Sequence, residues 1–157
     1  MAQVNPKSKE DSMTTEATTA SKERRIVVGV DGSPCATRAL EFAAHEAAHC
    51  GALLHVVSVY HELPVSGGAV LPMGISDESA NAIVSIALRR AEELEPSIVT
   101  KGEALLAGPG PGLADVSEGI TALVVGTQGH NQVAGFFVGS VSEYVFHHAT
   151  CTTIVVR

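Results

Sequence analysis

From residue 24 onward, short runs of β-branched and aliphatic residues alternate with longer segments in which apolar residues recur every three to four positions. Gly or Pro marks each change. Residues 26–30 (IVVGV) are continuously apolar apart from one glycine and predict a strand buried on both faces. Ser33 then reads as an N-cap, with Pro34 at the first helical position. Ala36, Leu40, Ala43 and Ala47 share one face of that helix, and Gly51 ends it. Residues 53–60 predict a second strand. Pro64, Gly67, Gly68, Pro72 and Gly74 mark a long, flexible connection after it, of a length that in compact domains often carries function. A second helix begins near Asp77, whose charge and that of Glu78 suit the positive end of the helix dipole. Ala80, Ile83, Val84, Ala87, Leu88, Ala91 and Leu94 follow at helical spacing, and Pro96 stops it.

Residues 103–107, 123–126 and 153–156 predict three further strands, separated by a short segment over 113–118 and a helix over 140–148. Strand and helix therefore alternate, which predicts an α/β fold: a single open five-stranded parallel sheet with right-handed crossovers and helices on both faces. Ligands of such sheets bind beyond the carboxyl ends of the strands, so the useful residues are expected after strands one, two and four. The third crossover is short, because residues 108–112 (GPGPG) leave about two turns of helix before strand four. Part of one sheet face is expected to be thinly covered.

Residues 1–22 break the pattern. Ser, Thr, Lys and Glu dominate, and beyond Met1 the only larger apolar side chains are Val4 and Met13. Too little apolar area is available to offset the entropy of ordering, so a disordered polar tail is expected ahead of one domain spanning 23–157. A chain of 157 residues fits that single domain. No apolar run approaches the ~18 residues of a membrane span, and no basic start precedes an apolar stretch, so a cytoplasmic location is expected. A net charge of −7 opposes attraction to nucleic acid or anionic lipid. Cys35, Cys50 and Cys151 match no zinc or disulfide pattern and fit a reducing compartment. Packing is the expected role of all three, with Cys35 in the first turn of a helix the one candidate for reactivity.

The candidate chemistry lies at the strand ends. Asp31, Gly32 and Ser33 follow the first strand; Gly126, Thr127, Gln128 and Gly129 follow the fourth and lead on to Gly139 and Ser140. Glycines let backbone N–H groups approach an anion, and Ser140 at a helix start adds a hydroxyl and free amides beside the positive dipole end. The competing reading, that these glycines only make turns, is disfavoured by their place in a βα unit. There is no G-x-x-x-x-G-K-[ST] motif, and the loop after strand one lacks G-x-G-x-x-G, which disfavours a P-loop ATPase and a dinucleotide-binding enzyme.

Gly126, Gly129, Gly139 and Ser140 have the spacing G, two residues, G, nine residues, G, then Ser or Thr. With the opening Ile26-Val27-Val28-Gly29-Val30-Asp31-Gly32-Ser33, His55-Val56 and the closing Ile154-Val155-Val156, this resembles the ATP-binding branch of the universal stress protein family over roughly residues 24–157. The resemblance implies a Rossmann-like sheet of the adenine nucleotide alpha-hydrolase-like type, a homodimer paired through the last strands, and ATP at the switch point accompanied by Mg²⁺ or Mn²⁺. By position, Asp31 and Val56 are expected to contact the adenosine. Gly126, Gly129, Gly139, Ser140, Val141 and Ser142 are expected to cradle ribose and phosphates. The family is commonly basic after the second motif glycine, where this chain has His130. ATP affinity is therefore expected to fall as pH rises through the titration of His130. Cys151 is followed by Thr152 where many relatives carry Pro, a departure expected to matter little.

No Ser-His-Asp or Cys-His pairing is evident, so binding is favoured over turnover, with at most slow ATP hydrolysis by a metal-bound water. The expected function is a nucleotide-dependent regulatory module whose 61–76 loop is read by a protein partner. The alternatives are a slow ATPase or autophosphorylating phosphotransfer protein, and a nucleotide-independent dimeric interaction module. His45 and His49 are expected on a solvated face without a third metal ligand, and His147 and His148 as a helix cap.

Overall fold

The computed structural model describes residues 24–64, 70–72, 75–128 and 138–157. The expected tail, Gly129 and His130 lie outside the described residues. Five strands, β1 (Arg25–Gly29), β2 (Leu53–Tyr60), β5 (Thr100–Leu106), β6 (Ala122–Gly126) and β7 (Thr152–Val156), form one sheet in the order β5-β2-β1-β6-β7. All neighbours are parallel. The chain leaves β1 in one direction toward β2 and β5 and returns to its other side for β6 and β7, which puts the switch point between β1 and β6.

Period-two alternation explains why the strands read as unbroken apolar runs. Ile26, Val28, Leu54, Val56 and Val124 face one way, into a core with α1 (Pro34–Cys50) and α2 (Asp77–Leu94). Val27, Val57, Val59, Leu123 and Val125 face the other way, toward α3 (Pro109–Asp115) and α4 (Ser140–His148). Helix α1 is capped as its sequence predicts. Ser33 Oγ accepts from the Ala36 amide at 3.2 Å, and Gly51 closes the helix at φ +62°, a left-handed conformation open to glycine at little cost. Its buried face is mostly alanine, Ala36, Ala39, Ala43, Ala44 and Ala47. Such a face lets the helix axis lie close to the sheet.

Two features differ from the sequence reading. The connection after β2 contains a small antiparallel ribbon, β3 (Glu62–Pro64) and β4 (Val70–Pro72), with Leu63 opposite Leu71. Each strand ends on a proline, which has no N–H to continue a ladder, so the ribbon stops at three residues. Helix α3 also starts earlier than residue 113. Pro109 sits in its first turn, where a missing N–H costs nothing; Gly110 lets the helix pack closely on Tyr144 of α4, and Gly112 lets it lie against Val59, Leu105 and Ala107. Leu113 is buried beneath it, so this short crossover does cover the sheet near the strand ends.

Candidate functional site

A cleft of about 250 Å³ opens at the carboxyl ends of β1, β2 and β6. Its polar side is formed by Asp31, Gly126, Gln128, Gly139 and Ser140; Val57, Val59, Ile75, Pro109, Leu113 and Val141 make an apolar side, and His61 also lines it. Asp31 Oδ1 accepts from the Ser33 amide at 3.0 Å, which fixes the turn between β1 and α1. Ser33 Oγ in turn donates to the Gln128 carbonyl at 3.4 Å, joining the loops after β1 and β6.

The floor depends on close approach. A Cβ on Gly126 would stand 2.8 Å from the carbonyl carbon of Cys35 and 3.0 Å from its oxygen, so the last residue of β6 lies directly against the first turn of α1. Thr127 then anchors the other wall. Its carbonyl accepts from the Gly139 amide at 2.7 Å and from Ser142 Oγ at 3.2 Å. Gly139 is the N-cap of α4 and offers no side chain to its first amides. These amides and the dipole end beside the cleft make the α4 start a ready anion site. Among the described lining residues there is no Lys or Arg.

The structure brings Asp31, Gly126, Gly139, Ser140, Val141 and Ser142 to this one cleft. Two expectations change. Val56 is fully buried in the core with α1 and α2, so its side chain cannot contact a ligand here; the residues of β2 that face the cleft are its alternate neighbours Val57 and Val59. Ser142 is 2% exposed, and its one hydroxyl hydrogen is shared between Gly139 O at 2.9 Å and Thr127 O at 3.2 Å. That hydroxyl holds the wall in place and is not free for phosphate. Sequence reasoning missed Val57, Val59, His61, Ile75, Pro109 and Leu113 as lining residues, while Gln128 lies in the stretch it marked after the fourth strand. Strand parity marks the two valines only once one residue of β2 has been placed, whereas the rule that ligands sit after strand two points directly at His61.

The remaining candidates do not line the cleft. His45 Nδ1 pairs with Glu95 Oε1 at 2.6 Å across α1 and α2, and His49 is exposed. Among the described residues no three of His, Cys, Asp and Glu gather to hold a metal. His148 Nδ1 donates to the Tyr144 carbonyl at 2.8 Å near the end of α4. Cys35 is buried and accepts from the Arg38 guanidinium at 3.0 Å. His55 is 3% exposed, on the opposite face of β2 from Val56, with Nε2 3.0 Å from Glu103 Oε2 but not aligned as a hydrogen bond. Burial, then the Lys101 charge, holds His55 below the ordinary imidazole pKa, against the opposing pull of Glu103.

A doubly wound α/β sheet with a cleft at its switch point, apolar on one side and lined by glycines and polar residues on the other, defines the architecture of the chain. The chain belongs to the universal stress protein family, whose model matches residues 23–157. It is 32% identical over 143 residues to a universal stress protein of Mycobacterium tuberculosis, covering 79% of this chain and 45% of that protein. The chain thus spans about half the length of the curated mycobacterial relatives it matches. A universal stress protein solved in complex with cAMP shares the fold, with TM-score 0.68 and 24% identity over 87% of this chain and 99% of that one. One from Archaeoglobus fulgidus, in complex with dAMP, matches at TM-score 0.63 and 25% identity over 86% and 98%. No helix among the described residues is long and apolar enough to cross a membrane.

Proposed function

We propose that this chain is a cytoplasmic, homodimeric ATP-binding module of the stress response, whose nucleotide occupancy regulates a protein partner. The observation that carries the reading is the start of α4, where Gly139 and Ser140 stand with Gly126 on the polar side of a half-apolar cleft at the switch point. Phosphates suit the amides at that end, and a flat base suits the slot formed by Val57, Val59, Ile75 and Leu113. The Archaeoglobus fulgidus relative's complex with dAMP supports an adenine nucleotide as the ligand class. In this reading, Gly126, Gly139, Ser140 and Val141 flank the phosphates with Gly129 and His130, and Asp31 takes a sugar hydroxyl. Mg²⁺ or Mn²⁺ arrives with the triphosphate and neutralises charge that no described lysine or arginine meets.

Homodimerisation is proposed through β7. The two sheet edges differ: β5 carries Lys101 and Glu103, charges that discourage strand pairing, whereas β7 reads Thr-Thr-Ile-Val-Val. Phe42 of α1 and Phe146 of α4 are 40% and 69% exposed. Both lie on the β7 side of their helices, since Glu41 and His45 of α1 face α2 and Tyr144 of α4 faces α3. A second copy paired on β7 would cover them.

Calorimetric titration with ATP and Mg²⁺, AMP and cyclic AMP tests the reading. Micromolar binding that weakens without the terminal phosphates supports an ATP module, and a decline from about pH 6 to 8 supports a phosphate contact from His130. No binding by any of the three leaves the uncharged β7 edge as the functional surface, that is, a nucleotide-independent dimeric module.

A further inference from the structure

His61 stands out among the cleft residues. It is the first residue beyond β2, it lines the cleft, and its Nδ1 is buried without a hydrogen-bond partner among the described residues. A desolvated ring nitrogen left unpaired is costly, and a ligand that pairs it recovers that cost on binding. Position decides which part of a ligand it meets. The anion site belongs to β6 and α4, and β2 lies two strand spacings from β6, about 10 Å away. The apolar walls of the cleft include Val57 and Val59 on the strand that His61 follows, and Ile75 just before α2. An apolar slot ending in one ring nitrogen suits the polar edge of a heterocycle.

On the nucleotide-binding reading above, we infer that His61 is the specificity-determining residue for the base, with Nδ1 accepting a hydrogen bond from the exocyclic amino group of adenine. In the tautomer that carries its proton on Nε2, Nδ1 accepts and cannot donate, so it pairs with an amino edge and not with a carbonyl edge. Asp31 and the backbone at the opposite end then supply affinity without reading the base. The apolar walls would hold any purine; the ring nitrogen would choose among them.

Equilibrium titration of the wild type, His61→Leu and His61→Asn with AMP, IMP and ribose 5-phosphate tests the inference. Wild type is expected to prefer AMP over IMP about tenfold, one hydrogen bond's worth. In His61→Leu, AMP should weaken to the IMP level while ribose 5-phosphate is unchanged; His61→Asn, which keeps an acceptor, should restore part of the preference. In the wild type, the ring ¹⁵N shifts of His61 should move with AMP and stay still with ribose 5-phosphate, a readout that needs no variant to fold. An AMP preference retained in His61→Leu, or ring shifts indifferent to AMP, overturns the role of His61 and leaves nucleotide binding standing. Should AMP and IMP bind too weakly to compare, ATP and ITP with Mg²⁺ take their places; if wild type binds none of these ligands, the nucleotide reading fails, and this inference fails with it.

Discussion

Gly126→Ala tests the cleft at its tightest point. The added Cβ would lie 2.8 Å from the carbonyl carbon, 2.9 Å from Cβ and 3.0 Å from the oxygen of Cys35. Two of these atoms are backbone and cannot rotate away, so either the first turn of α1 or the end of β6 must move. Moving α1 disturbs Ala36, Ala39 and Leu40, all buried; moving β6 disturbs Thr127 and with it the α4 start. Overpacking of this kind costs about 2 kcal/mol, which for a domain of this size lowers the melting temperature by roughly 5 to 10 °C. Gly51→Ala is the control. It has nothing within 4 Å but a φ of +62°, so it should cost about 1 kcal/mol in backbone strain. It lies at the far end of α1, so nucleotide binding should be untouched. Thermal unfolding and calorimetric titration of both variants separate the effects. Gly126→Ala should lose stability and affinity together, and Gly51→Ala stability alone. A Gly126→Ala protein that melts with the parent and binds as the parent does would refute the close approach on which the site geometry rests.

Acid should destabilise the fold through His55 and Glu103. Burial depresses the folded pKa of His55, so below about pH 6.5 the unfolded chain takes the proton first and stability falls with pH. Glu103 is held below the ordinary carboxylate range, chiefly by the Lys101 hydrogen bond, and its contribution is lost at lower pH still. Melting temperatures should drop from about pH 7.5 to 5 and the slope should flatten in His55→Leu; an unchanged slope would show that another group carries it. Ser58 has a fully buried hydroxyl with no partner among the described residues, so Ser58→Ala should hold or raise the melting temperature; a clear drop would reveal a bonded hydroxyl. Phe146→Glu, on an exposed side chain, should weaken self-association at least tenfold without lowering monomer stability, as followed by light scattering over a dilution series. An unaltered dimer would move the interface away from β7.

Much of the fold was legible because local signals and tertiary demands agree. Ser33, Pro34 and Gly51 bound α1 where capping chemistry says they should, and Asp77 opens α2. The β3–β4 ribbon was not legible: its strands are three residues long and both end on proline, which argues against a strand in any window. Helix α3 was misplaced because Pro and Gly read as loop residues, although Pro at a first turn and Gly beneath a neighbouring helix are both compatible with helix. In the site, the glycines and Asp31 were visible because backbone approach and turn chemistry leave marks in sequence. Val56 against Val57 was not. In a strand buried on both faces the composition is the same on each side, so parity cannot be read until one residue has been placed.

Thr127 links the cleft to the proposed dimer edge. Its amide donates to the carbonyl of Val156, near the end of β7, at 2.8 Å, while its own carbonyl holds the Gly139 amide and the Ser142 hydroxyl. One residue therefore joins the strand on which a second copy would pair to the helix start on which phosphates would sit. Binding free energies obey reciprocity: if nucleotide tightens the dimer by some factor, the dimer binds nucleotide more tightly by that same factor. A hydrogen-bonded path alone does not create such a factor; it arises only where the ligand contacts differ between the two states. Titrating nucleotide above and below the protein concentration at which the dimer dissociates measures that difference directly. Equal affinities would mean that the bonds around Thr127 keep one geometry in monomer and dimer and that the signal, if occupancy sends one, leaves through the connection after β2 instead.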